Sequence, residues 1–519
     1  MAPSLLQKEI MMTIIDMSIF AVYIAIIVMA GLAIGMKKSA GGTRSYFMAD
    51  RSLPWWILGC SIIAANISAE HLIGTTGSAY TMGIAIGAFE LTGALALIVA
   101  AWLAIPYFVK NKITTMPQFL AMKYDNRVRS MFAGFWIVVY TLVNLTAVSY
   151  MGALAFTSIG IPLQTGVMLL IGFAVLYSAV GGLSSLVWTD FIQVGILLIA
   201  GIACTWFTLD AYGASIGSNS VVNSLSTLYT SLPHHFELVL QPGHPAYSNI
   251  PGVLGVVGVF LGSLSYFAFN QFIVQGALAA KSVKEAQRGM MFAAFLKLVM
   301  PLVVIIPGIM AFAMTKGTLT PADTAYPWLI SNFMPIGFHG LVMAALFAAI
   351  ISTLAAILNS ISTMFTLDIV KVHRPNFDDK RLMVIARTVV VACGAIGAAL
   401  AVPFLGNADQ AYMFIQEFVG FVTPAMLVIF FAALYWKTNS NAAIAITIFS
   451  VLFNASVKFI APEIAWLERF IMALVGCVTL YGIFPGKAVV VDVIKPTKLF
   501  TAGGIVVALI FFGTYIIFA

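Results

Sequence analysis

The chain has 519 residues, of which 61% are hydrophobic and only 9% charged, and its mean hydropathy is +1.02. A soluble domain carries about 25% charged residues, so this chain cannot cover a water-facing surface; a soluble multidomain enzyme is excluded and an all-α polytopic membrane protein is indicated. The formal charge of +7 does not mark a nucleic-acid binder, because the basic residues fall in short gaps between apolar segments, which is how a topology signal is arranged.

A spanning helix needs about 20 mostly apolar residues. Fourteen segments qualify: 12–36, 53–79, 82–109, 128–157, 162–180, 183–210, 251–278, 285–314, 338–370, 381–403, 408–436, 439–459, 465–484 and 498–518. The first is read as a spanning helix rather than a cleaved signal. Its apolar run is longer than the roughly 7–15 residues of a signal core, and the pair Lys37–Lys38 follows it instead of preceding it. Placing the N-terminus outside puts 21 of the 26 Lys and Arg residues on one side, from Lys37 to Lys498, and leaves the long 211–250 gap, which has none, on the other. Both termini are then external, as an even helix count requires. The gap is expected to form an external loop; its pair His234–His235 has no cysteine or close carboxylate cluster beside it and is not read as a metal site. Cys60, Cys204, Cys393 and Cys477 lie in or at the ends of apolar segments without CxxC spacing and read as packing residues.

Charge inside a bilayer is costly, so the intramembrane polar residues carry the information. In the second segment Asn66, Glu70, Gly74 and Gly77 share one helical face, and the following Gly-Thr-Thr-Gly-Ser is poor helix-forming material, expected to unwind and free backbone groups for a cation and a solute. In the third, Glu90 stands on a small-residue face with Gly83, Gly87 and Ala94. Lys297 lies within the eighth, with Glu90 or Glu70 available to neutralise it. In the ninth, Ala345, Ala349, Ser352, Ala356, Asn359, Thr363 and Thr366 share a face that Thr353 adjoins; uncharged oxygens of this kind suit a singly charged hard cation. Asp190 lies early in the sixth segment. Gln416 and Glu417 lie in the eleventh, with Pro424 downstream to disturb it. The matches Asn66-Ile67-Ser68 and Asn144-Leu145-Thr146 to glycosylation acceptors fall inside the membrane and are set aside. No Walker loop, GxSxG or HExxH is present, which argues against ATP-driven transport.

These stretches resemble the sodium:solute symporter family. "GGLSSLVWTDFIQVGILLIAG" (181–201) is similar to its first signature and "AALFAAIISTLAAILNSISTMFTLDIV" (344–370) to its second; "AANISAEHLIG" and "QFIVQGALAAKSVKEAQRGMMFAAFLKLVMPLVVIIPGIMA" add to the likeness. It extends from about residue 15 to 440 and is strongest toward the sodium/sugar cotransporters, the bacterial sodium/galactose and sodium/glucose type above all. The resemblance implies a LeuT-like fold: an extra N-terminal helix at 12–36, two inverted five-helix repeats at 53–210 and 251–437, and three extra C-terminal helices at 439–518. It implies one sodium held by the carbonyls of Ala64, Ile67 and Ala349 and the hydroxyls of Ser352 and Thr353, with Asp190 on the sodium pathway. It further implies a midplane sugar site of Asn66, His71, Phe89, Glu90, Ser263, Tyr266, Phe267, Lys297 and Gln416, Tyr266 stacking under the ring as inner gate. Departures from the bacterial galactose pattern are His71 for Gln, Phe89 for Tyr, Gly93 for Ser, Ser263 for Asn, and Gly276 where Arg is usual. Ala355 and Ala356 stand where two-sodium members carry hydroxyls.

The implied function is sodium-coupled symport of a neutral hexose, galactose or glucose, one sodium per sugar, by alternating access in a bacterial inner membrane. No cofactor is expected beyond sodium as the coupling ion; the partners are the hexose, sodium and the bilayer, and oligomeric state is left open. The rivals are symport of another small solute such as myo-inositol and a non-transporting sugar sensor.

Overall fold

The computed structural model describes residues 12–39, 43–68, 70–157, 159–218, 220–406, 410–489 and 494–518; the expected position of the first eleven residues lies outside them. The principal helices are α1 (Ile14–Ser39), α2 (Trp55–Asn66), α3 (Thr76–Met82), α4 (Gly87–Leu103), α5 (Leu145–Thr157), α6 (Leu163–Ser215), α7 (Gly252–Phe269), α8 (Val283–Met300), α9 (Phe338–Met364), α10 (Asp379–Leu405), α11 (Ala411–Gly420), α12 (Thr423–Tyr435), α13 (Ser440–Ile460), α14 (Trp466–Ile483) and α15 (Lys498–Phe518). The only sheet among the described residues is a two-residue antiparallel ladder that pairs Lys437 with Ala488 and Thr438 with Lys487. Helices dominate because lipid offers no partner for a free N–H or C=O.

Eleven helices are long and apolar enough to cross a membrane, or twelve if the bent pair α11–α12 counts as one span. The difference from fourteen segments has a physical source. Trp55–Asn66 and Leu163–Ala179 are apolar but short, and Glu70–Leu103 joins residues read as two segments. At Gly181–Gly182, where a break between segments was expected, the chain stays helical within α6. Two glycines weaken a helix by about 1 kcal/mol each, less than leaving backbone groups unpaired in hydrocarbon.

The break in the second segment is also displaced from the expected position. The chain leaves the helix at Ile67 (φ −83°, ψ 95°) and re-enters through a π-helical turn at Glu70–Thr75, so 74–78 is helical rather than unwound. The glycines there serve close packing instead. A Cβ on Gly74 would come within 2.7 Å of Tyr412 Cβ, and one on Gly77 within 2.8 Å of Asp323 Cα. The local cause of the true break is Ser68, whose hydroxyl accepts from the Glu70 amide (3.1 Å) and offers the backbone an alternative to the helix.

In the interior, α9 packs along α6 and α1, while α7 and α8 lie against α4 and α8 also against α2. At one end of the bundle Asp16 of α1 accepts from the Gly337 and Gly340 amides (2.7 and 3.0 Å), anchoring the start of α9 at its positive pole. At that end, too, Leu238 donates to the Phe518 carbonyl at 2.8 Å, so the 211–250 segment and the end of α15 share a face. At the other end Arg129 and Thr115 both donate to Asp368, at 2.8 and 2.9 Å.

Candidate functional site

The interrupted helices converge on a partly open cavity. Eight of the nine residues expected at the solute site line it: Asn66, His71, Phe89, Ser263, Tyr266, Phe267, Lys297 and Gln416. Glu90, the ninth, does not line it. It is fully buried behind the wall, where Lys297 Nζ donates to Oε2 at 2.9 Å and His71 Nε2 lies 3.3 Å from Oε1. Of the two carboxylates that might have neutralised Lys297, the structure therefore selects Glu90. Glu70 lines the cavity instead, and its Oε1 has no hydrogen bond among the described residues.

Lys297 is the hub. It is 2% exposed and donates also to Asn66 Oδ1 at 2.8 Å. The Asn66 amide in turn reaches the Tyr266 hydroxyl at 3.5 Å. The hub depends on Gly93, since a Cβ there would come within 2.3 Å of Lys297 Cε and 3.2 Å of the Phe267 ring. The Lys297 ammonium lies 5.6 Å from the Phe267 ring centroid, within cation–π reach. Ser263 is 3.4 Å from the Thr92 hydroxyl.

The opposite wall is α11. Gln416 donates to the Tyr412 hydroxyl at 3.0 Å, and the Tyr412 ring meets Phe89 and His71 edge-on at 5.5 and 6.1 Å between centroids. Tyr412 was not among the expected residues, although its place one turn before Gln416 on the same helix was a readable signal. Trp466 and Phe470 of α14 also line the cavity and were missed, because nothing in a single apolar segment shows which neighbour it will meet.

The expected sodium residues gather where α2 ends against α9. Ala64 is two residues from the end of α2, where carbonyls lose their intrahelical partners. Thr353 Oγ1 donates to that Ala64 carbonyl at 3.3 Å, and Ile67 is the residue at which the chain turns extended. Ala349 and Ser352 precede Thr353 on α9 and all three are buried. Asp190 stands directly beside this group. Its carboxylate accepts from Ser352 at 2.5 Å and from Ser61 at 2.8 Å, which links the expected pathway residue to an expected ligand. Oxygen donors of this kind, mostly uncharged, fit a monovalent hard cation.

A helical membrane bundle whose interrupted helices meet around a cavity lined by buried polar residues has the architecture of a secondary transporter of the broken-helix kind. Residues 46–450 match the sodium:solute symporter family, and the chain belongs to that family. It is 41% identical over 485 residues to the sodium/glucose cotransporter of Vibrio parahaemolyticus, a match that covers 89% of this chain and 88% of the other. It is 30% identical over 456 residues to the sodium/myo-inositol cotransporter of Canis lupus familiaris, covering 81% of this chain and 63% of the relative. Its fold superposes on a substrate-bound, outward-open Na+-coupled sialic acid symporter with TM-score 0.77 at 21% identity, over 92% of this chain and 99% of that one. A nucleobase-cation-symport-1 family transporter follows at 0.54 and 14%, over 88% and 97%. The LeuT type of fold is thereby shown. The protein is a multi-pass sodium:solute symporter and not an enzyme.

Proposed function

We propose that the protein couples the entry of one sodium ion to the uptake of a neutral hexose, galactose or glucose, across a bacterial inner membrane. The observation that carries this reading is the cavity beside the buried Lys297 hub, lined by the Lys297 ammonium, the Asn66 and Gln416 amides and the Glu70 carboxylate, with aromatic rings among them. Sugar hydroxyls both donate and accept, so Lys297, Asn66, His71, Ser263, Gln416 and Glu70 each have a partner to offer. Tyr266 and Phe267 cover the apolar C–H face, Tyr266 as inner gate, and Phe89 closes the other side. Glu90 acts through Lys297 and His71, holding both toward the cavity. Sodium is held by the carbonyls of Ala64, Ile67 and Ala349 and the hydroxyls of Ser352 and Thr353, with Asp190 next on its path; the geometry around Thr353 supports this.

The broader arrangement follows the same reading. Fourteen spans form a first repeat at 53–210 and an inverted second repeat at 251–437, flanked by 12–36 and 439–518, with both termini outside. One repeat rocks against the other around the shared site. The test is uptake of radiolabelled galactose and glucose into proteoliposomes with and without an inward sodium gradient. Uptake indifferent to sodium refutes the coupling.

A second reading is symport of myo-inositol, favoured by the relative of that name at 30% identity. A cyclic polyol presents the same hydroxyl chemistry to Lys297 and the amides. Competition of labelled glucose uptake by a panel of hexoses and inositols separates the two.

A further inference from the structure

Helix α11 is a separate ten-residue unit. It carries Tyr412 and Gln416 into the cavity, and it meets α12 at an angle of 50° across the break at residues 421–422. A half-helix that supplies solute contacts needs something to fix its place. Residue 417, next to Gln416, shows what does. Glu417 accepts from the Arg469 guanidinium of α14, and its Oε2 lies 2.9 Å from the Lys458 ammonium of α13. Lys458 also lies 4.8 Å from the centroid of the Phe418 ring. Arg469 is 4% exposed, so its charge is stable there only while paired.

The setting separates this triad from an ordinary ion pair. On both partners the neighbouring side chains line the cavity: Gln416 and Gly420 beside Glu417, Trp466 and Phe470 beside Arg469. A Cβ on Gly420 would stand 3.4 Å from the Trp466 ring, so the two helices are in close contact one turn beyond the ion pair. The first turn of α14 therefore grips the cavity-bearing part of α11, and α13 grips the same carboxylate.

We infer that Arg469 is a positioning residue for the solute site, acting through Glu417, and that the C-terminal helices beyond the two repeats serve to hold α11 in register with the Lys297 hub. The inference rests on the cavity being the solute site. Losing Arg469 frees α11, so Tyr412 and Gln416 no longer meet the solute in a fixed geometry, while the sodium residues on α2 and α9 are untouched.

The experiment uses the full chain in lipid nanodiscs and proteoliposomes, with Arg469→Gln, Glu417→Gln, the double variant and Arg469→Lys. Hydrogen exchange of peptides spanning 411–420 is followed without any solute. Each single neutral variant speeds exchange there by about fivefold or more, the scale of a 1 kcal/mol loss, and peptides spanning 345–360 are unchanged. The double variant is no worse than the worse single, because one interaction is lost either way, and Arg469→Lys stays near the parent. In uptake, Arg469→Gln raises the half-saturating glucose concentration several-fold and leaves that for sodium unchanged. Unchanged exchange in a folded Arg469→Gln, additive effects in the double variant, or glucose and sodium dependences that shift together would each overturn the inference. If Arg469→Gln does not fold, the double variant, which leaves neither Arg469 nor Glu417 as an unpaired charge, carries the same comparison. A parent protein that transports no hexose refutes the proposed substrate, whereas the exchange readout, which needs no solute, still decides the role of Arg469.

Discussion

Lys297 and Glu90 form a buried ion pair of 2.9 Å, their side chains being 3% and 0% exposed. Removing one member of such a pair strands the other charge and costs about 3–5 kcal/mol. Glu90→Ala therefore lowers the unfolding temperature and abolishes solute binding, since Lys297 loses the partner that aims it and His71 loses its neighbour. Sodium binding is expected to persist, because the polar partners of Glu90 are Lys297 and His71 and not the proposed sodium residues Ala64, Ile67, Ala349, Ser352 and Thr353. The double variant Glu90→Gln with Lys297→Met leaves no stranded charge and recovers most of the lost stability. Thermal unfolding in detergent, with and without sodium and with and without glucose, measures all of these; an additive loss in the double variant counts against the pair.

Gly93 controls the same hub by leaving space. A side chain at 93 would begin 2.3 Å from Lys297 Cε, so Gly93→Ser forces the lysine stem aside. Overpacking of this kind costs about 1–3 kcal/mol. The expected result is a marked rise in the half-saturating glucose concentration together with a lower unfolding temperature. Gly276→Ala serves as the control, since a Cβ at 276 meets nothing nearer than 3.8 Å. Equal uptake by Gly93→Ser and the parent would show that Lys297 is not held where solute binding needs it.

Much of this site is legible in the sequence for a physical reason. A charge or amide inside an apolar segment has to find a partner in the bundle, so Asn66, Glu90 and Lys297 announce themselves. What the sequence conceals is which partner. Glu70 and Glu90 are equally plausible for Lys297 until the angle between α4 and α8 is known. Apolar segments are harder still. Trp466 and Phe470 reach the cavity because α14 packs against α7, α11 and α12, and no local pattern in 465–484 encodes that. Glycines carry two readings at once: Gly74 and Gly77 sit on a small-residue face that lets a neighbour approach and also in a stretch expected to unwind, and tertiary packing against Tyr412 and Asp323 keeps their segment helical.

His235 gives the loop at 233–236 a dependence on pH. Its ring stacks on Phe312 at 4.1 Å and its Nε2 lies 3.4 Å from the Tyr80 carbonyl of α3. Burial holds its pKa below the ordinary histidine value; the Tyr80 carbonyl opposes this, and His244 and His234 add to the lowering. His234 itself is paired with Glu237 at 2.7 Å. A histidine with a depressed folded pKa contributes its full stability above the unfolded value of about 6.5, and loses it as pH falls through the lower folded value. Protection from hydrogen exchange in peptides covering 232–238, measured against the intrinsic chemical rate at each pH, should therefore fall between pH 7.5 and 5.5. His235→Phe keeps the ring on Phe312 but cannot titrate, and its exchange should vary with pH only as the intrinsic chemical rate does. A parent-like pH response in that variant would assign the effect to another group.

Thr353→Ala separates the ion from the solute. The hydroxyl of Thr353 is 3.3 Å from the Ala64 carbonyl and is not among the groups lining the cavity. Its removal takes one oxygen from the proposed sodium shell and leaves Lys297, Asn66 and the aromatic rings in place. The half-saturating sodium concentration should rise by about tenfold, the scale of a 1.4 kcal/mol loss, and the half-saturating glucose concentration at saturating sodium should be unchanged. Thr353→Ser keeps the hydroxyl and should behave as the parent. Ser352→Ala tests the same shell from the Asp190 side: it removes a donor to that buried carboxylate as well as a sodium oxygen, so it should impair sodium activation more than Thr353→Ala does. Sodium-activation curves for the three variants, measured as glucose uptake into proteoliposomes, give the ranking directly. An unchanged sodium dependence in Thr353→Ala would move the ion away from the end of α2.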